Sequence, residues 1–184
     1  MEKSLNKKFF LAVIIVILLF WTGIILFLGS RGPVESYNQS GGVYSFLKKI
    51  DTVLDFTNNK VFLDFELFLK KLWFGTDKVS SMALLRKSAH FGIYFVLGII
   101  SFVFSLGYSK KYLMAVITGV TFPAFIACFD EYNQEFFERG AALTDVMIDI
   151  SGAVAGTVLA VCVILVVKLI LYIKRKNGQG EKKA

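Results

Sequence analysis

The sequence is poor in the side chains most often recruited for cross-links, sharp turns or metal chemistry: among 184 residues there are two cysteines, two prolines and one histidine. Cys128 and Cys162 both fall inside apolar runs, so no disulfide framework is implied and both are expected to pack in the core. No HExxH or other familiar metal-ligand spacing occurs. The first apolar run starts among bases, as a signal peptide does. It is long for such a segment, however, and FLGSRG has no A-x-A cleavage pattern, so it reads as a retained signal anchor. Charged residues make up only 19% of the chain against 55% hydrophobic, with a mean hydropathy of +0.63, which is far from a soluble domain.

Four apolar runs reach spanning length, about 9–28, 88–106, 112–129 and 146–171. Each is expected to be helical, because lipid cannot satisfy an open backbone. The expected fold is therefore an all-α integral membrane protein. It is one domain over 1–184, with four transmembrane helices in an antiparallel bundle and one or two amphipathic helices in the first connection. The net charge is +7. Its placement is more telling: Lys3, Lys7 and Lys8 precede the first run, Lys110 and Lys111 sit in the second connection, and Lys174, Arg175, Lys176, Lys182 and Lys183 fill the tail. By the positive-inside rule these pieces, both termini included, are cytoplasmic. Attraction to anionic lipid accounts for the basic tail, and no nucleic-acid partner is implied.

In chain order, GSRGPVESYNQSGG has loop chemistry and is expected to be an outer loop. The amphipathic region 43–73 follows. Val43, Phe46, Leu47, Ile50, Val53 and Leu54 form one helical stripe. After a break at Asn58 and Asn59, Val61, Phe65, Phe68, Leu69 and Leu72 form another beside a Glu66–Lys70 pair. These helices either lie in the interface, with Trp73 at headgroup level, or cap the bundle. Ser80 or Ser81 is expected to cap the next helix, on which Arg86, His90 and Tyr94 share a stripe and Lys87, offset from it, is free to snorkel to lipid phosphate. A lone histidine most often has a plain packing role; its two polar neighbours on the stripe argue otherwise here. GYSKK is a tight turn, and Pro123 is expected to kink the third span. Asp130 and Gln134 share a face, Glu131 and Glu135 form an acidic edge, and Arg139 with Gly140 marks the next turn. Thr144 is a candidate cap and Asp145 a dipole partner, while Asp149 lies deeper. Gly152 and Gly156 have the spacing of a close helix contact.

Short connections make neighbouring spans antiparallel, so the end of the first, the start of the second, the end of the third and the start of the fourth emerge on one face. The unusual polar residues are all there: Ser36 and Gln39, then Arg86, Lys87, His90 and Tyr94, then Asp130, Glu131, Gln134 and Arg139, then Asp145 and Asp149. Intramembrane charge on this scale points to a site.

SYNQSGG, RKSAHFGIYFVLG and DEYNQEFFERGAALTDVMIDISGAVAG together resemble the VanZ-like family of bacterial membrane proteins, over nearly the whole chain; the stretch between Val43 and Val79 matches least. The resemblance implies a small multi-span protein of the bacterial cell membrane, linked in some members to lower susceptibility to the glycopeptide teicoplanin. It places the family's polar pattern on Arg86, Lys87, His90, Asp130, Glu131, Gln134, Arg139, Asp145 and Asp149. Three readings follow. In the first, the site binds a phosphate-bearing lipid or lipid-linked cell-wall intermediate through Arg86, Lys87 and Arg139, with Asp130, Asp145 and Asp149 orienting the bases or meeting sugar hydroxyls. In the second, it is a hydrolase or transferase in which His90 acts as acid or base, or in which His90, Asp130, Glu131 and Asp145 collect a divalent cation; Asp149 is a further catalytic candidate. In the third, the charges form a structural network that fixes helix packing. Transport is disfavoured because the charge sits at one membrane edge. Oligomeric state is left open.

Overall fold

The computed structural model describes the backbone of residues 2–54, 59–137 and 142–180, and the side chains of all of these except 2–6, 33, 36, 37, 39, 40, 47, 50–54 and 177–180. Among the described residues six helices follow one another: α1 (Glu2–Gly29), α2 (Pro33–Leu54), α3 (Lys60–Phe74), α4 (Ser81–Ser109), α5 (Tyr112–Phe136) and α6 (Leu143–Gly180). Four contain membrane-competent spans, Lys7–Gly29, Ser81–Ser109, Tyr112–Phe136 and Leu143–Lys176. The chain is thus an all-α multi-pass membrane protein, as its composition requires.

α4 is the central helix and packs against α1, α5 and α6. Its contacts fix the directions. Trp21 Nε1 donates to the Ile93 carbonyl at 3.0 Å while Gly107 lies against Phe10 and Leu11, and Ser105 Oγ donates to Thr118 Oγ1 at 3.0 Å while Tyr94 Oη donates to Asp130, so α1 and α5 run antiparallel to α4. α6 runs parallel to it, because the successive glycines Gly152 and Gly156 meet the backbone of Phe91 and Phe95 in the same order. At Gly98 the same approach comes from the other side, against the Ala153 carbonyl. Where lipid tails supply no hydrophobic force between helices, such missing Cβ atoms let backbones touch and dispersion act. Tyr94, Leu97, Phe102, Ala127 and Ala153 fill the centre, while Phe9, Val16, Phe20, Leu113, Phe125 and Leu165 face outward as a lipid-contacting surface.

Several expectations change. Residues 33–42, read as loop, are the first turns of α2. Pro33 at the first helical position removes no needed donor, Glu35 complements the helix dipole, and Arg31 pairs with Glu35 at 3.0 Å. These starts outweigh Gly41 and Gly42, each a cost of about 1 kcal/mol in a helix interior. The third span keeps its place as one helix, Tyr112–Phe136, with the buried Pro123 inside it. α6 begins at Leu143, so Thr144 lies inside its first turn and is not the residue before it. Cys128 and Cys162 are exposed on the helix exteriors, not in the core. Asn58, the proposed break, lies outside the described residues, but Asn59 caps α3 by accepting from Val61 N at 2.9 Å. Ser80 caps α4, accepting from Ala83 N. The GYSKK turn closes with Lys110 in the left-handed region at φ 60°.

None of the residues of α3 is buried, yet its C-terminal end is tied to α4. Ser81 Oγ donates to Glu66 Oε1 at 3.0 Å, Lys70 Nζ lies 2.8 Å from the same oxygen, and the Trp73 ring meets Phe91 at 6.0 Å. The Lys70 hydrogen bond, and then that of Ser81, hold the Glu66 carboxyl below its ordinary value, against the opposing effect of partial burial. A lowered folded-state pKa means that this anchor contributes fully above the ordinary carboxylate range and fades as pH falls through the lowered value. For an i, i+4 pair within one helix the contribution is about 1 kcal/mol or less. With 5-fluorotryptophan in both tryptophan positions, the ¹⁹F resonance of Trp73 is expected to move on acidification and that of Trp21 to stay still. The same movement in Glu66→Gln would disprove the assignment.

Candidate functional site

The four helix ends that the topology brings together do meet. Asn133 Nδ2 donates to Ser30 Oγ at 2.8 Å, joining α5 to the end of α1. Asp130 Oδ1 lies against Gly29, where any Cβ would overlap it, so the α1 terminus is shaped around this carboxylate. The backbone N–H of Ala142 donates to Glu131 Oε1, which pins the start of α6 to α5. Across from these, Lys87 Nζ sits 3.1 Å from Asp145 Oδ1, and His90 Nδ1 sits 3.4 Å from Asp149 Oδ1. The step from Lys87 to His90 on α4 (i, i+3) and that from Asp145 to Asp149 on α6 (i, i+4) run in the same direction, so the two pairs stack like rungs. That follows from the parallel packing and from the glycines that bring α6 onto α4.

The rungs lead inward. Arg86 is exposed at the rim, Lys87 and His90 are part-buried, and Tyr94 is 1% exposed. From Arg86 to Tyr94 is about 12 Å along a helix, so the polar column reaches well below the rim. On the α5 side Asp130, Glu131 and Gln134 are all buried. Gln134 Nε2 donates to Asp130 Oδ2 at 3.0 Å, and Tyr94 Oη makes a longer bond of 3.5 Å to the same oxygen. Asp149 is 0% exposed, and neither of its carboxylate oxygens has a hydrogen bond among the described residues. One ligand atom each from His90, Asp130 and Asp149 falls within 4.8 Å of the others.

A recess at the rim is lined by Arg86, Lys87, His90, Asp145 and Ile148. Within it Lys87 is held by three groups: Asp145, the Trp73 carbonyl at 3.4 Å and the Phe74 ring at 4.3 Å. It is therefore a fixed internal cation and does not snorkel. Arg86 has no ion pair or hydrogen bond among the described residues.

Of the residues singled out in the sequence, the structure brings together Arg86, Lys87, His90, Tyr94, Asp130, Glu131, Gln134, Asp145 and Asp149. Glu131 serves the α5–α6 connection and Asp145 serves Lys87, so the potential ligand set is His90, Asp130 and Asp149. Glu135 is exposed, apart from the cluster. Arg139 lies outside the described residues. So do the side chains of Ser36 and Gln39, whose backbone is in α2. Sequence reasoning did not find Gly29, Ser30 or Asn133. The only signal for them was their position at the end of the first run and beside Asp130.

No curated protein and no solved structure matches the chain. Residues 13–168, from the first span into the last and including every polar group of the column, match the VanZ/LLP1 family model, and the chain belongs to that family.

Proposed function

We propose that this protein is a VanZ-like component of the bacterial cell membrane that holds a phosphate-bearing lipid, or a lipid-linked cell-wall intermediate, at the polar end of its bundle. One observation carries the reading: Arg86 is an exposed guanidinium with no partner among the described residues at the lip of the recess, while the neighbouring Lys87 is already neutralised by Asp145. Guanidinium is planar, always charged and geometrically matched to a phosphate fork. Lys87 and Asp145 cancel to first order, so Arg86 sets the sign of the rim. The hydrocarbon chain of such a ligand would lie along the apolar exterior of α4 and α6. The basic ends and tail of the chain support cytoplasmic termini, with the recess on the outer face, where cell-wall intermediates are used. Holding such an intermediate would give the protein a route to altering glycopeptide susceptibility.

In nanodiscs, binding of a polyprenyl diphosphate to the intact chain is expected to weaken by about 10-fold or more in Arg86→Ala and to recover in part in Arg86→Lys, as expected for loss of a charge-assisted bond of about 1.5–3 kcal/mol. Helicity should be unchanged, since Arg86 makes no hydrogen bond or ion pair among the described residues. Equal binding by Arg86→Ala would remove the proposal's basis.

A further inference from the structure

Beneath the rim, the buried trio His90, Asp130 and Asp149 has the makings of a different site. We propose that these three side chains bind a divalent first-row cation, of which Zn²⁺ is the representative, in the interior of the bundle.

The geometry of the His90–Asp149 pair comes first. Imidazole facing carboxylate normally closes to a hydrogen bond, about 2.7–2.9 Å when charge-assisted. Here the nearest atoms stand at 3.4 Å, and neither Asp149 oxygen accepts a hydrogen bond from any described residue. Bonds of about 2.0–2.1 Å to a tetrahedral ion place neighbouring ligand atoms about 3.3 Å apart. The pair is spaced as two ligands of one ion. Asp130 brings a third donor within 4.8 Å of both, which a small side-chain adjustment closes onto a common centre.

Charge is the second support. Asp149 is completely buried and Asp130 is 2% exposed. A carboxylate this deep in a membrane bundle carries a heavy desolvation cost, and Asp149 meets it with no hydrogen bond from a described residue. A divalent ion bound directly to the Asp149 carboxylate offsets that cost. Lys87 does not serve this purpose, since its Nζ is engaged by Asp145 one turn nearer the rim.

The surroundings fit as well. Ligating carboxylates are typically held by hydrogen bonds from a second layer, and Asp130 is held by Gln134 at 3.0 Å and more loosely by Tyr94 at 3.5 Å. Gly29 leaves room for the other oxygen of Asp130, because a Cβ there would overlap it. One nitrogen and two oxygen ligands suit Zn²⁺ or Mn²⁺ better than the all-oxygen shell favoured by Ca²⁺. Three protein ligands leave a further coordination position for water. The inference does not rest on phosphate binding at Arg86: a failure of the lipid-binding test leaves it standing, and the reverse also holds.

The chain contains one histidine, which gives a test that does not depend on any variant folding. Tag-free protein in detergent or nanodiscs is stripped with chelator, titrated with ZnCl₂ and examined by X-ray absorption at the zinc edge. The expected result is a single Zn²⁺ per chain whose shell contains one imidazole together with oxygen ligands. An ion bound without imidazole scattering, or no stoichiometric ion, overturns the proposal. His90→Gln and Asp149→Asn are each expected to weaken Zn²⁺ binding by more than about 10-fold, with Glu135→Gln, an exposed acid, unchanged. Retained affinity in both ligand variants would also overturn it.

Discussion

Gly156→Ala is expected to destabilise the bundle by about 3 kcal/mol, the largest effect predicted for so small a change. The added methyl would overlap the Phe95 carbonyl oxygen and stand 2.9 Å from its carbon, so α6 can accept it only by moving off α4. Gly152→Ala meets the Phe91 backbone in the same way and is expected to behave alike. Backbone cannot swing aside as a side-chain tip can, and separating the helices forfeits dispersion contacts along the seam. Gly92→Ala provides the control: it lies on α4, with nothing within 4 Å of the new methyl, and is expected to be neutral or to gain up to about 1 kcal/mol from helix propensity. Unfolding in mixed detergent micelles, followed by circular dichroism, measures all three. Equal effects at Gly92 and Gly156 would mean that α4 and α6 do not approach as described. The same displacement would pull Asp149 from His90 and Asp145 from Lys87, so the Gly156 variant should lose site properties together with stability.

Lys87→Met is the second large effect. It leaves Asp145 facing a half-buried surface without its cation, and breaking a buried pair from one side costs about 3–5 kcal/mol. The low end applies here, since the two side chains retain 14% and 17% exposure. Removing both charges, in Lys87→Met with Asp145→Leu, is expected to recover most of that loss, because the desolvation cost disappears with the pair. A double-mutant cycle reads the coupling directly. Additive losses in the double variant would show that Lys87 and Asp145 act through other partners, which the contacts of Lys87 with the Trp73 carbonyl and the Phe74 ring make a real competitor. Those contacts also tie α3 to the rim, so the variant should loosen α3 and shift the Trp73 fluorine resonance.

Much of this architecture is legible in the sequence because lipid enforces it. A run long enough to span must be helical, short connections must alternate direction, and polar residues placed at alternate ends must therefore meet. The Asp130–Gln134 and Glu66–Lys70 pairs and the cap Ser80 follow from local spacing, while Asn59, read as a break, turns out to be the cap of α3. What local spacing cannot supply is the rotation of each helix about its axis. Arg86 and His90 share a stripe, yet one is exposed and the other part-buried, because α4 turns the stripe obliquely past the rim. Lys87, one residue off the stripe, falls opposite Asp145 for the same reason. Turn chemistry misled at 33–42, where Pro33 starts a helix and the Gly41–Gly42 pair does not end it. The cysteines misled because apolar sequence in a membrane protein is as often at the lipid surface as in the core.

The central claim concerns what lies beside Arg86. A structure of the chain determined in a bilayer containing lipid-linked cell-wall intermediates tests it most directly. The account predicts phosphate within hydrogen-bond distance of the Arg86 guanidinium, with Lys87 still on Asp145 beneath it. An Arg86 turned onto a protein carboxylate, with no phosphate at the rim, would contradict it.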